Sequence, residues 1–219
     1  MKFRSIFDII GPVMVGPSSS HTAGAVRLGF MARNIFGVEP EKIKITFYRS
    51  FAETYKGHGT DVAIISGLLN MQPDNPRIPN AFKIAKDRGI AIEITTSDKP
   101  VEYPNTVRIL LEAGDKTLDY TGVSIGGGII EVTKINGFEV HMDGENPVLL
   151  VEYLDKPGII ARITARLAVE SINISGMSVT RRARGSEAMM VISTDSKVPD
   201  SIVESMLAVP DIHHVIPVE

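Results

Sequence analysis

The chain has 219 residues, of which 43% are hydrophobic and 22% charged, so it can bury a real core and is neither disordered nor fibrous. Lys+Arg of 23 against Asp+Glu of 26 gives a net charge of −3, which lacks the basic field that nucleic-acid binding draws on. Cysteine is absent, excluding disulfides, thiol nucleophiles, zinc–thiolate sites and any self-contained iron–sulfur cluster in this polypeptide.

The N-terminal segment carries Asp8 where a secretion signal is apolar, and a cytoplasmic protein is expected. A short amphipathic helix is expected around Ile6, Ile9 and Ile10, ended by Gly11-Pro12. A Gly16-Pro17-Ser18-Ser19-Ser20-His21-Thr22 loop follows. The next helix is well marked, with Ala25, Leu28, Ala32, Ile35 and Phe36 on one face and Gly37 just past its end. Residues 42–49 alternate as a strand, with Ile43, Ile45 and Phe47 on one side. Helices are expected over 59–69 and 80–87, then strands near 90–95, 107–112, 116–123 and 129–135. The longest apolar run, Val62 to Leu69, is broken by Ser66 and Gly67 and falls short of the roughly 18 residues of a membrane helix. This part reads as an α/β domain with helices packed on a mixed sheet.

A polar stretch from His141 to Pro147 marks the seam, giving expected domains of 1–144 and 148–219. Beyond it, Val148 to Tyr153 is a β-rich run. Asp155 is expected to N-cap a helix with Pro157 in its first turn, followed by Ile160, Ile163 and Leu167 at helical spacing. Ile172 to Val179 reads as a strand, Arg184-Gly185-Ser186 as a turn, and 187–194 as the returning strand. Pro199 opens a second helix bearing Ile202, Val203, Met206 and Leu207, and 212–218 closes as a strand. The βαββαβ order is ferredoxin-like, so the overall class is α/β (α+β). Met177, Met189 and Met190 are expected in the core, Arg181, Arg182 and Arg184 at a solvated turn, and His213-His214 alternating across an exposed strand.

The segment from Gly16 to Gly24 concentrates hydroxyls at a helix entry. Free N–H groups, side-chain donors and the positive end of the helix dipole suit a carboxylate or phosphate there. His21 in the same turn is a candidate acid or base near neutral pH. An over-provided helix cap with an incidental histidine explains the same residues. Lys56-Gly57-His58-Gly59-Thr60-Asp61 reads as a loop that brings His58 and Asp61 to the first site. Spaced three apart, the pair also suits metal ligation on one helical face, or a plain cap beside a solvated imidazole. Gly126-Gly127-Gly128 lacks the GxGxxG spacing and runs into a strand, so a backbone bend is the better reading than a nucleotide loop. A Ser-His-Asp hydrolase lacks its nucleophile elbow.

Asp155-Lys156-Pro157-Gly158 after the first strand of the C-terminal region, with Asn173-Ile174 opening the second, resembles the ACT domain, a regulatory module of amino-acid metabolism. That resemblance implies edge-to-edge self-association and an effector pocket lined by Asp155, Gly158 and Asn173. Together with it, the GPSSSHT stretch, KGHGTD at 56–61 and Ser124-Ile125-Gly126-Gly127-Gly128 resemble the β subunit of the two-chain iron–sulfur L-serine dehydratases, nearly end to end. The resemblance implies a partner α subunit whose cysteines hold a [4Fe-4S] cluster, with L-serine converted to pyruvate and ammonia. Here it implies that Ser18, Ser19 and Ser20 hold the substrate carboxylate, that His21 and Thr22 serve proton transfer and orientation, and that His58 lines the site. No metal ligand is expected on this chain, nor any nucleic-acid or membrane partner. The competing class is a non-catalytic amino-acid sensor. The N-terminal region is also similar to an allosteric substrate-binding domain of some D-3-phosphoglycerate dehydrogenases, although no dinucleotide-binding unit is present.

Overall fold

The computed structural model describes residues 13–218, and the helix expected around Ile6 to Ile10 lies outside them. The fold divides into two compact units between Asn136 and Gly137.

In the N-terminal unit a π-helical turn (Ser19–Ala23) leads into α1 (Gly24–Phe36), followed by β1 (Lys42–Tyr48), α2 (Arg49–His58) and α3 (Thr60–Leu68). Then come α4 (Ala81–Asp87), β2 (Ala91–Ser97), β3 (Thr106–Ala113), β4 (Lys116–Gly126) and β5 (Ile129–Ile135). The strand order is β2-β1-β3-β4-β5, with β1 parallel to β2 and the remaining pairs antiparallel, so the sheet is mixed. Ile43, Ile45 and Phe47 of β1 face the core, and each such burial contributes about 1.5–3 kcal/mol. The opposite face is polar, carrying Lys44 on Glu93 at 2.8 Å and an Arg108–Asp119 fork at 2.8 and 2.7 Å. Helices α1 and α3 meet backbone to backbone. A Cβ at Gly29 would strike the Ile64 carbonyl, and one at Gly67 the Val26 carbonyl. Gly67, one of the two residues that break the apolar run in the sequence, is therefore a packing device.

Helix α2 is absent from the expectations drawn above. Its apolar residues, Phe51 and Tyr55, are one turn apart and both contact Phe47, too short a pattern to read as periodic. Arg49, at φ 46°, turns β1 sharply into α2 in a conformation that costs a non-glycine residue about 1 kcal/mol or more. Gly59, at φ 66°, separates α2 from α3. The KGHGTD segment is thus a junction of two helices rather than a loop. The three glycines at 126–128 all have positive φ and form the β4–β5 turn, in accord with the backbone-bend reading.

The C-terminal unit comprises β6 (Phe138–Met142), β7 (Val148–Leu154), α5 (Ile159–Val169), β8 (Ile174–Arg181), β9 (Glu187–Thr194), α6 (Asp200–Leu207) and β10 (Ile212–Val218). The sequence marks its seam by the polar stretch 141–147, and strand β6 precedes most of that stretch. The order β10-β7-β9-β8, antiparallel throughout, is the ferredoxin-like arrangement expected from the βαββαβ pattern. Its core joins Leu149, Val151 and Tyr153 to Ile163 and Leu167 of α5, Met190 and Ile192 of β9, and Ile202 and Met206 of α6.

Several local expectations are corrected here. Asp155 does not cap α5; Gly158 does, at φ 90°, and the helix starts only at Ile159. Asp155 instead turns its carboxylate to the Arg181 guanidinium at 2.9 Å and the Gly185 N–H at 3.3 Å. Arg182 reaches Glu187 at 3.2 Å and stands 4.8 Å over the Phe138 ring, so these two arginines are tied rather than merely solvated. Met189 and Met190 are buried, but Met177 is 47% exposed because β8 is a sheet edge. A register shift between Ile212 and His214 turns His213 and His214 both outward, where simple alternation would split them.

Candidate functional site

The GPSSSHT segment forms the π-helical turn at the head of α1. Ser18, extended at φ −144°, caps it by accepting the His21 N–H on Oγ at 3.2 Å. The Ser18 carbonyl accepts both the Thr22 N–H at 2.9 Å and the Ala23 N–H at 3.3 Å, which widens the first turn. Such π turns often mark functional positions. The widened turn carries Ser19, Ser20 and His21 on one helix entry, where the dipole favours an anion.

His21 is held on every side. Ser20 Oγ is 3.0 Å from its Nδ1 and Ser50 Oγ is 3.4 Å from its Nε2. The Phe51 ring meets it edge-on at 5.2 Å, and the His58 ring lies 4.9 Å away, tilted by 37°. Ser18 Oγ is 3.4 Å from Ser20 Oγ, so one line of hydroxyls runs into the imidazole. Shielding from water lowers the His21 pKa below its ordinary value, and the neighbouring His58 lowers it further. Both causes favour the neutral ring, the form that can accept a proton.

Thr22 is buried behind this turn, and its Oγ1 has no hydrogen-bond partner. It packs on Gly16, where any Cβ would overlap its side chain. Two further buried hydroxyls, Thr60 of α3 and Ser124 of β4, are likewise unpartnered. Ser124 abuts Gly24, the first residue of α1. Arg27 of α1 donates to the Gly128 carbonyl at 3.0 Å, joining the triglycine turn to the same helix. The three sequence motifs of the first unit therefore gather around the head of α1.

The structure brings Ser18, Ser20, His21 and His58 together and sets Thr22 just beneath them. Asp61 is not part of the cluster: its carboxylate accepts the Val62 N–H at 2.8 Å in the first turn of α3. His58 ends α2, so the two residues share no helical face, and among the described residues no group of three or more His, Asp or Glu is placed to hold a metal. Ser50 and Phe51, which complete the surroundings of His21, are not among the residues the sequence points to. Ser50 follows the C-terminal end of a strand whose parallel pairing only the tertiary structure shows, so no sequence signal marks it.

In the C-terminal unit, Asn173 donates to Asp195 at 2.7 Å, Asp155 is engaged by Arg181 and Gly185, and Gly158 opens α5 without a side-chain cap. The Asp155 carboxyl is held below the usual carboxylate range, first by the Arg181 hydrogen bond and then by the Gly185 N–H.

Comparison with known proteins follows the same division. Residues 5–88 match the family described as "Serine dehydratase beta chain" and residues 147–211 the family described as "ACT domain". The chain is 51% identical over 212 residues to a probable L-serine dehydratase beta chain of Bacillus subtilis, covering 97% of this chain and 96% of that one. It is 34% identical over 211 residues to the L-serine dehydratase beta chain of Peptoniphilus asaccharolyticus, covering 95% of each. A D-3-phosphoglycerate dehydrogenase of Methanocaldococcus jannaschii is 31% identical over 155 residues, but this chain spans only 29% of its length. Among the described residues no helix is long and apolar enough to cross a membrane.

Proposed function

This chain belongs to the serine dehydratase beta-chain family and is a subunit of a two-chain L-serine dehydratase, and from that premise we propose that the head of α1 binds L-serine and moves its α-proton. Ser18, Ser19 and Ser20, with the N–H groups that open the helix, receive the substrate carboxylate. His21 takes the α-proton, and Thr22 orients the turn from beneath. His58, one ring away, lines the site. Loss of the α-proton together with the β-hydroxyl, net one water, leaves aminoacrylate, which tautomerises and hydrolyses to pyruvate and ammonia without further help from the protein. The observation that carries this reading is the half-buried His21 held among hydroxyls at a helix entry, its pKa lowered by that burial.

A [4Fe-4S] cluster does not fit the residues of this chain, which has no cysteine. Within this reading it belongs to the α subunit, and the steps assigned here are those of this chain's own groups. The C-terminal unit serves regulation and self-association. The exposed edge strand β8, with Met177 and Val179 outward, supports pairing with a second copy. Gly158, which opens α5 three residues after Asp155, supports an effector site that Asn173, just before β8, would complete.

The deciding experiment is anaerobic pyruvate formation from L-serine by this chain mixed with its cysteine-bearing α chain. Activity is expected only in the mixture. A complex that forms and holds its cluster but releases no pyruvate would overturn the reading in favour of an amino-acid sensor.

A further inference from the structure

We infer that Ser50 is a positioning residue that holds the His21 imidazole in one tautomer, with Nε2–H donated to the Ser50 hydroxyl and the Nδ1 lone pair turned to Ser20. The inference rests on the assignment of proton transfer to His21 and deepens it.

Both ring nitrogens face a hydroxyl, Ser20 at 3.0 Å and Ser50 at 3.4 Å. A neutral imidazole has one N–H and one lone pair, so one hydroxyl must donate to it and the other accept. The Ser18 oxygen accepts the His21 backbone N–H at 3.2 Å, an arrangement that favours giving its own proton to Ser20 Oγ at 3.4 Å. Without substrate Ser20 then donates to Nδ1, and on substrate binding it turns its proton to the carboxylate and frees that lone pair for the α-proton. The remaining ring proton lies on Nε2 and points at Ser50, which closes the line of donors.

Ser50 reaches this place by tertiary structure. It lies 29 residues from His21, on the first turn of α2. The preceding Arg49 holds a left-handed φ of 46° and anchors its guanidinium on the Val101 carbonyl at 3.2 Å. A non-glycine residue kept in that conformation beside a candidate site indicates a position that the surroundings enforce. The same turn sets Phe51 edge-on against the imidazole and starts the helix that ends at His58, so the ring has little room to rotate. A histidine that moves protons needs its tautomer set by the partner of its other nitrogen.

The test uses the full chain labelled with ¹⁵N at histidine. Long-range ¹H–¹⁵N correlation spectra distinguish the two tautomers, and His21 is assigned by its loss in His21→Gln. The wild type is expected to show Nε2–H, Ser50→Ala a mixture shifted toward Nδ1–H, and Ser50→Thr a return to the wild-type pattern. Nδ1–H in the wild type, or an unchanged tautomer in a folded Ser50→Ala chain, overturns the inference. The wild-type spectrum decides even if a variant does not fold. In the assembled enzyme, Ser50→Ala is expected to lower kcat by about tenfold or more while KM for L-serine stays within about twofold. A variant that changes KM alone assigns Ser50 to substrate binding and overturns positioning. Absence of L-serine turnover in the wild type removes the assigned reaction, while the tautomer spectra still decide the role of Ser50.

Discussion

The two units are assembled by different means. In the N-terminal unit, helices and strands approach through glycine, with Gly29 and Gly67 bringing two helix backbones together and Gly24 admitting Ser124. In the C-terminal unit large apolar side chains fill the space, from Leu149 and Tyr153 to Leu167 and Met190, and Gly158, Gly176 and Gly185 leave room for a methyl group. Unpartnered buried hydroxyls divide unevenly too: among the described residues Thr22, Thr60, Tyr120 and Ser124 lie in the first unit and only Tyr153 in the second. Close backbone approach leaves polar groups aimed at a small region, which suits a site for a polar molecule. Packing through large side chains suits a module whose work is done at its edges.

This contrast can be tested by variants that act on one unit at a time. The largest effect is expected from His21→Ala, which should lower kcat of the assembled enzyme by about 100-fold or more with the far-ultraviolet spectrum unchanged. On the same reading the acid limb of kcat/KM falls below 6.5, because shielding and His58 both lower the His21 pKa. The same shift makes folding pH-dependent. The unfolded chain takes up this proton near 6.5 while the folded one resists it, so stability falls as pH drops below that value.

In the C-terminal unit, Leu167→Ala removes a fully buried side chain and should cost about 2–5 kcal/mol in chemical unfolding. Gly67→Ala adds one methyl in the N-terminal unit, yet should cost about 1–3 kcal/mol, because the atom it meets is backbone. A neutral result there would erase the distinction between the units. His58→Gln should raise the His21 pKa by removing the lesser of its two causes, measured by histidine NMR titration. The smallest effect is expected from Asp155→Asn. The carboxylate is half-buried in a surface ion pair, and its contribution is present above the ordinary carboxylate pKa and lost as pH falls through the lowered one. Thermal unfolding at low and high salt should show a small decrease that salt removes.

Periodicity in the sequence determines much of the fold. Ile43, Ile45 and Phe47 announce β1, Leu28, Ala32 and Ile35 announce α1, and the order of runs after Val148 announces a ferredoxin-like unit, because burial at period 2 or 3.6 is a local property. The motif at 16–22 is legible for the same reason, since caps and hydroxyl-rich helix entries are written in adjacent residues. Helix α2 escapes because a single Phe51–Tyr55 pair defines no period, and the role of Asp155 is not legible because its partners, Arg181 and Gly185, are distant in sequence. Which residues surround His21 was decided only by the tertiary structure. Ser50, Phe51 and His58 reach it through the turn at Arg49 and the close crossing of α1 with α3, and contacts across 29 to 37 residues leave no local pattern to read.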